Sequence, residues 1–139
     1  MALVFLSGAI DLANKDYQDW KKTIKAELQA NHISTADPAG TFNYVINPDH
    51  NIEHRHTAEA LININYHALM NSDFALILLD EKTPSIGTPI ELYMCAMHGI
   101  PNVVVWNGER YPAYVYGLAD HVVDNMQDAL NIILNHFER

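Results

Sequence analysis

Short, almost wholly apolar runs alternate along the chain with longer stretches whose apolar positions recur every three or four residues. The runs are Ala2–Leu6, Phe74–Leu79, Asn102–Trp106 and His121–Val123, with the length and character of buried strands. Helical spacing predicts helices from about Asn14 to Asn31, from Thr57 to Ser72, from Pro89 to His98 and from Met126 to Phe137. In the first, Tyr17, Trp20, Ile24 and Leu28 share one face, read as core packing. In the second, Ala60, Leu61, Ile64 and Ala68 centre the apolar face, with Asn63, Asn65 and His67 off it. Tyr111–Leu118 reads as a short helix or a loop. One further strand lies either near Ile33–Ala36 or at Phe42–Ile46, after the turn Asp37-Pro38-Ala39-Gly40. Strands alternating with helices predict an α/β fold: a flavodoxin/Rossmann-like three-layer sandwich with a five-stranded, mainly parallel sheet.

Ligands of such sheets bind outside the carboxyl ends of the strands. That edge collects Ser7, Gly8, Ala9 and Asp11 after the first strand, and Asp80, Ser85, Gly87, Thr88 and Glu91 after Phe74–Leu79, with Asn107 following Trp106. Within Ser85-Ile86-Gly87-Thr88-Pro89-Ile90-Glu91, Thr88 suits an N-cap, Pro89 the first helical position, and Gly99 the stop. A strand, a glycine-containing turn and a helix start make an anion pocket. Glu91, in the first turn on this reading, either complements the helix dipole or aims its carboxylate into the crevice.

The 139 residues suffice for one domain with a real core, residues 1–139 throughout. A formal charge of −9 argues against nucleic-acid binding, although backbone amides can still hold a small anion. Cys95 is the single cysteine, which removes an internal disulfide and a multi-cysteine zinc site. His50, His54 and His56 stand beside Asp49 and Glu53, but their spacing matches no metal signature and reads as a solvated or substrate-facing loop; no metal and no cofactor are expected. No GxGxxG, GxxxxGK[ST] or GxSxG occurs. With no signal-peptide pattern and no apolar span of membrane length, a cytoplasmic protein without membrane partners is expected.

Three pieces together resemble one family: Phe5-Leu6-Ser7-Gly8-Ala9-Ile10, Asn71-Ser72-Asp73 before an apolar strand, and Ser85 to Glu91 followed by Ala96 and Gly99-Ile100-Pro101. In order and spacing they are similar to the nucleoside 2-deoxyribosyltransferase superfamily, which includes nucleoside 5′-monophosphate N-glycosidases. The resemblance runs through Trp106. It implies Glu91 as a nucleophile that attacks the anomeric carbon of a (deoxy)ribose and forms a glycosyl-enzyme, resolved by water or by another base. A carboxylate both stabilises the developing cation and traps it. It also implies a nucleoside or nucleotide substrate held by Ser7, Gly8, Ala9, Asp11, Ser85, Gly87 and Thr88, and a homodimer or larger assembly. Tyr111, Tyr114 and Tyr116 are its candidate interface, or packed loop aromatics.

Ser85 resembles the phosphate-contacting serine of the monophosphate N-glycosidases; its other reading is a turn residue. The family's usual aspartate beside the nucleophile is Asn65 here, which can hold a hydroxyl or a base edge but cannot act as an acid. A first-strand tyrosine is replaced by Phe5. Asp11, His50 or His54 could then donate the proton to the leaving base. The competing function is a non-catalytic nucleotide-binding module; a receiver-type signalling domain fits only through Asp80.

Overall fold

The computed structural model describes residues 2–8, 19–37, 52–82 and 85–138, with the backbone alone at 19 and 52–58. The elements are β1 (Leu3–Ser7), α1 (Asp19–Ala30), β2 (Ser34–Ala36), α2 (Ile52–Met70) and β3 (Phe74–Asp80), then α3 (Gly87–His98), β4 (Asn102–Asn107), α4 (Ala113–Leu118), β5 (His121–Val123) and α5 (Met126–Phe137). The strands form a five-stranded sheet in the order β2-β1-β3-β4-β5, and every pairing is parallel. This is the expected doubly wound architecture. The second strand is Ser34–Ala36; the alternative at Phe42–Ile46 lies outside the described residues.

Alternation along the strands builds two cores. Val4, Leu6, Phe74, Leu76, Leu78, Val103 and Val105 face α1 and α5, meeting Ile24, Leu28, Leu130 and Ile133. Phe5, Ala75, Ile77, Leu79 and Val104 point the other way, against Leu69 of α2, Leu92 and Cys95 of α3, and Val115 of α4. Burial on both faces explains why the sequence of β3 is continuously apolar rather than alternating.

The amino edge of the sheet is tied off by side chains. Leu3 N–H donates to Asp73 Oδ2 at 2.9 Å. Asn102 N–H donates to Asp120 Oδ2 at 3.1 Å, and Asp120 N–H returns the bond to Asn102 Oδ1 at 3.2 Å. Helix ends follow sequence chemistry where they are capped. Asn125 Oδ1 accepts from Asp128 N–H at 2.8 Å at the start of α5. Gly99 closes α3 at φ 66°, and Ile100 N–H then reaches Cys95 O at 3.0 Å.

Two expectations are corrected. Helix α2 begins at Ile52, ahead of Thr57, so the backbone of His54 and His56 is helical rather than loop. Its inward line is Leu61, Asn65, Ala68 and Leu69, while Ala60 is exposed and Ile64 is 38% exposed. Small, polar and apolar residues are so mixed around this helix that its period does not single out the buried side. Of the first predicted helix, Trp20, Ile24 and Leu28 pack as expected, and Tyr17 lies outside the described residues. Among the described residues no helix is long and apolar enough to cross a membrane.

Gly99→Ala places a Cβ on a left-handed residue with open space around it, so its cost is conformational. Denaturant unfolding is expected to show a loss of ~1 kcal/mol with an unchanged m-value.

Candidate active site

Strand β1 stops at Ser7, opposite Ile77, while β3 runs on to Asp80. The chain leaves β1 toward β2 on one side and returns to β3 on the other, so the step between them is the topological switch point. A cavity of ≈ 200 Å³ opens there, bounded by the end of β1, by α2 and by the start of α3. Ser7, Gly8, Asn65, Gly87, Thr88 and Glu91 all line it. These residues are far apart in sequence and were predicted as site residues; the fold brings them together.

Ser7 shares the face of Phe5 and is 2% exposed, so its hydroxyl points toward α3. Its Oγ donates to Glu91 Oε1 at 2.7 Å, a short bond of the charge-assisted kind. Helix α3 begins at Gly87, not Pro89, and this changes the roles of its first residues. Ser85 Oγ accepts from Thr88 N–H at 3.2 Å and so satisfies one of the free amides of the helix start. Thr88 is not the cap: it sits within the first turn, 1% exposed. Glu91 falls two residues further in than expected, past the first turn, where the dipole has largely faded, so complementing the helix end does not account for it. Its aim is set by Ser7. Ser85 stands beside the pocket rather than on its wall.

Two side-chain atoms on that wall, Asn65 Oδ1 and Thr88 Oγ1, are buried and have no hydrogen-bond partner among the described residues. Buried polar atoms are normally paired, and leaving one bare costs ~1–3 kcal/mol. Asn65 Oδ1 can accept a hydrogen bond from a donor that enters the cavity. Gly8, on the same wall, lets the Trp20 ring pack closely, since a Cβ there would lie 2.9 Å from Trp20 Cζ2.

The sequence reading missed a charged group on the same wall. Lys21 and Asp37 both line the cavity and are buried, with Lys21 Nζ donating to Asp37 Oδ1 at 2.9 Å. Lys25, partly exposed, approaches Asp37 Oδ2 at 3.1 Å. Burial alone would raise the Asp37 carboxyl, but the Lys21 charge and hydrogen bonds from both lysines outweigh it and hold the group below its ordinary range. A signal did exist. Lys21 and Lys25 are four apart on one helix flank, where like charges repel unless an acid sits between them.

Other candidates separate from this pocket. Asp80 and Asn107 line a different concavity with Glu81 and Arg110, and Asp80 Oδ1 accepts from Lys82 N–H at 2.8 Å. Ala9, Asp11 and His50 lie outside the described residues, and His54 is described only as helical backbone. Among the described residues no three His, Cys, Asp or Glu side chains are grouped to hold a metal. Burial, with the Glu91 and Asp120 charges, pushes the Cys95 thiol up to about 12, which removes it as a nucleophile.

No protein-family model matches the chain, and no curated protein matches its sequence. Solved structures share its fold. A 2-deoxyribosyltransferase from Leishmania mexicana superposes with TM-score 0.72 at 15% identity, covering 99% of this chain and 100% of that one. The 2-deoxyribosyltransferase of Bacillus psychrosaccharolyticus gives 0.71 at 14%, covering 94% and 91%. A CMP N-glycosidase from Clostridium botulinum gives 0.60 at 14%, covering 97% and 99%.

The depressed Asp37 carboxyl makes stability depend on pH. Its contribution is full above the unfolded value, near 3.8, and is lost as pH falls through the lower folded value. Thermal midpoints of wild type and Asp37→Asn are expected to differ most at neutral pH and to converge below about pH 4. A difference that stays constant down to pH 2 would contradict the assignment.

Proposed function

We propose that the chain is a member of the nucleoside 2-deoxyribosyltransferase superfamily, one domain over residues 1–139, that cleaves the N-glycosidic bond of a (deoxy)nucleoside or its 5′-monophosphate. The observation that carries this reading is the Glu91 carboxylate, held by Ser7 Oγ at 2.7 Å on the wall of the switch-point pocket. The shared fold and the ordered motifs from Phe5 to Pro101 support it.

In this mechanism Ser7 fixes one Glu91 oxygen, so the side chain meets the anomeric carbon in one orientation. A Glu91 oxygen bonds to C1′ as the C1′–N bond breaks, and the glycosyl ester is resolved by water (hydrolysis) or by a second base (transfer). Asn65 Oδ1 accepts from a substrate hydroxyl or base edge. The Gly87 helix start receives the 5′ end; the Ser85 hydroxyl, whose oxygen already accepts from Thr88, keeps its proton to donate to a phosphate.

The working form is a homodimer or larger assembly. Ile62, Tyr66 and Ile90 are exposed, yet they also line the pocket, and Tyr93, Met97 and Tyr114 extend the same apolar exposure over α3 and α4. A standard interface takes ~800 Å² from each partner, which a face of half-exposed Ile, Met and Tyr side chains can supply.

Free-base release from a panel of ribo- and deoxyribonucleosides and their 5′-monophosphates, with and without an acceptor base, tests the activity. Release is expected to fall by at least ~10³-fold in Glu91→Ala and by roughly 10-fold in Ser7→Ala. Turnover that survives Glu91→Ala would overturn the mechanism; binding without turnover across the panel would make the protein a nucleotide-binding module. In sedimentation, wild type is expected as a dimer or larger, and Tyr93→Glu combined with Met97→Glu as a monomer.

A further inference from the structure

The buried ion pair at the far end of the pocket has no role in the mechanism above. Lys21 has a side chain only 4% exposed, on a wall shared with Glu91 and Asn65. An ammonium carries three donors, and among the described residues Lys21 spends one, on Asp37. The Trp20 ring, 5.8 Å from Nζ, offers only a weak further contact. Asp37 is meanwhile shared with Lys25, so the trio holds one positive charge more than it cancels. The lysine in excess is Lys25, which reaches solvent, so Asp37 neutralises Lys21 while the buried ammonium keeps donors that an acceptor entering the cavity can take.

Sheet order says which part of a substrate would reach it. Strand β2, which Asp37 directly follows, flanks β1 on the side opposite β3. Gly87 and Thr88 follow β3, and Glu91 with Ser7 stands between the two ends of the pocket. A sugar whose C1′ meets Glu91 and whose 5′ end meets the α3 start must send its base toward β2.

We infer that Lys21, positioned by Asp37, is the acid that meets the leaving base, at the carbonyl oxygen or ring nitrogen next to the glycosidic nitrogen; this rests on the N-glycosidic reading of the same site. When the C1′–N bond breaks, its electron pair goes to the base and spreads onto that acceptor. The ammonium donates a hydrogen bond there and passes a proton, so the base leaves neutral. The amine regains a proton from solvent, matching the one released when water or an acceptor base closes the cycle. Asn65, an amide, cannot supply that proton, and Lys21 fills the deficit from the other wall. Asp37 touches no reacting atom in this scheme; it is a positioning residue.

The test uses 5-halogenated pyrimidine and 8-halogenated purine nucleosides and 5′-monophosphates, whose bases differ in acidity. Lys21→Met leaves Asp37 paired with Lys25. It is expected to lose on the order of 10- to 100-fold in kcat/KM on the most basic leaving groups and little on the most acidic, steepening the leaving-group dependence. If Lys21→Met does not fold, the double variant Lys21→Met with Asp37→Leu removes both charges and is read the same way. A loss that is equal for every base, or no loss, overturns the role of Lys21 while Glu91→Ala, run beside it, still abolishes release. Survival of release in Glu91→Ala, or silence of the wild type on every substrate, overturns the N-glycosidic reading and this inference with it.

Discussion

A parallel sheet buried on both faces dictates where this protein can do chemistry. Strands β1, β3 and β4 give nearly all their side chains to two dry cores, so polar function is pushed to the strand ends. The amino end is taken up by structural bonds from Asp73, Asn102 and Asp120. Only the carboxyl end is left, and the early stop of β1 beside a longer β3 turns that end into a cleft.

Inside the cleft, polar groups are arranged by contrast. Ser7 and Glu91 satisfy each other, which locks a carboxylate that would otherwise sample several rotamers. Asn65 Oδ1 and Thr88 Oγ1 accept no bond among the described residues. Lys21 and Asp37 place a compensated charge at the other end, with a lysine in excess. A wall that is partly satisfied and partly waiting is what a preorganised site needs, since only the bare groups gain when a ligand arrives.

Much of this was legible in the chain. Four of the five strands and the helix boundaries at His98 and Phe137 followed from apolar runs and from Gly99, because a strand dry on both sides and a left-handed stop leave plain marks; the second strand stood between two segments until the fold placed it at Ser34–Ala36. The motif positions Ser7, Gly8, Asn65, Gly87, Thr88 and Glu91 did converge on one pocket. What the chain hid were facts of tertiary pairing. The buried side of α2 is chosen by its neighbours rather than by its period. The start of α3 at Gly87 exchanged the roles of Ser85 and Thr88. Lys21 reads as one more surface lysine of an amphipathic helix until Asp37, sixteen residues away in sequence, is folded against it.

Cys95 lies one helical turn beyond Glu91 on α3, fully enclosed by the second core. Its thiol is nearly all protonated in the folded state and out of reach of any reagent. The helix that bears the carboxylate therefore carries its own clock. A thiol reagent can modify this protein only in the moments when α3 lifts from the sheet, and the rate of modification counts those moments. Because the chain has one cysteine, that count belongs to a single helix, and a substrate that settles in the cleft would slow it.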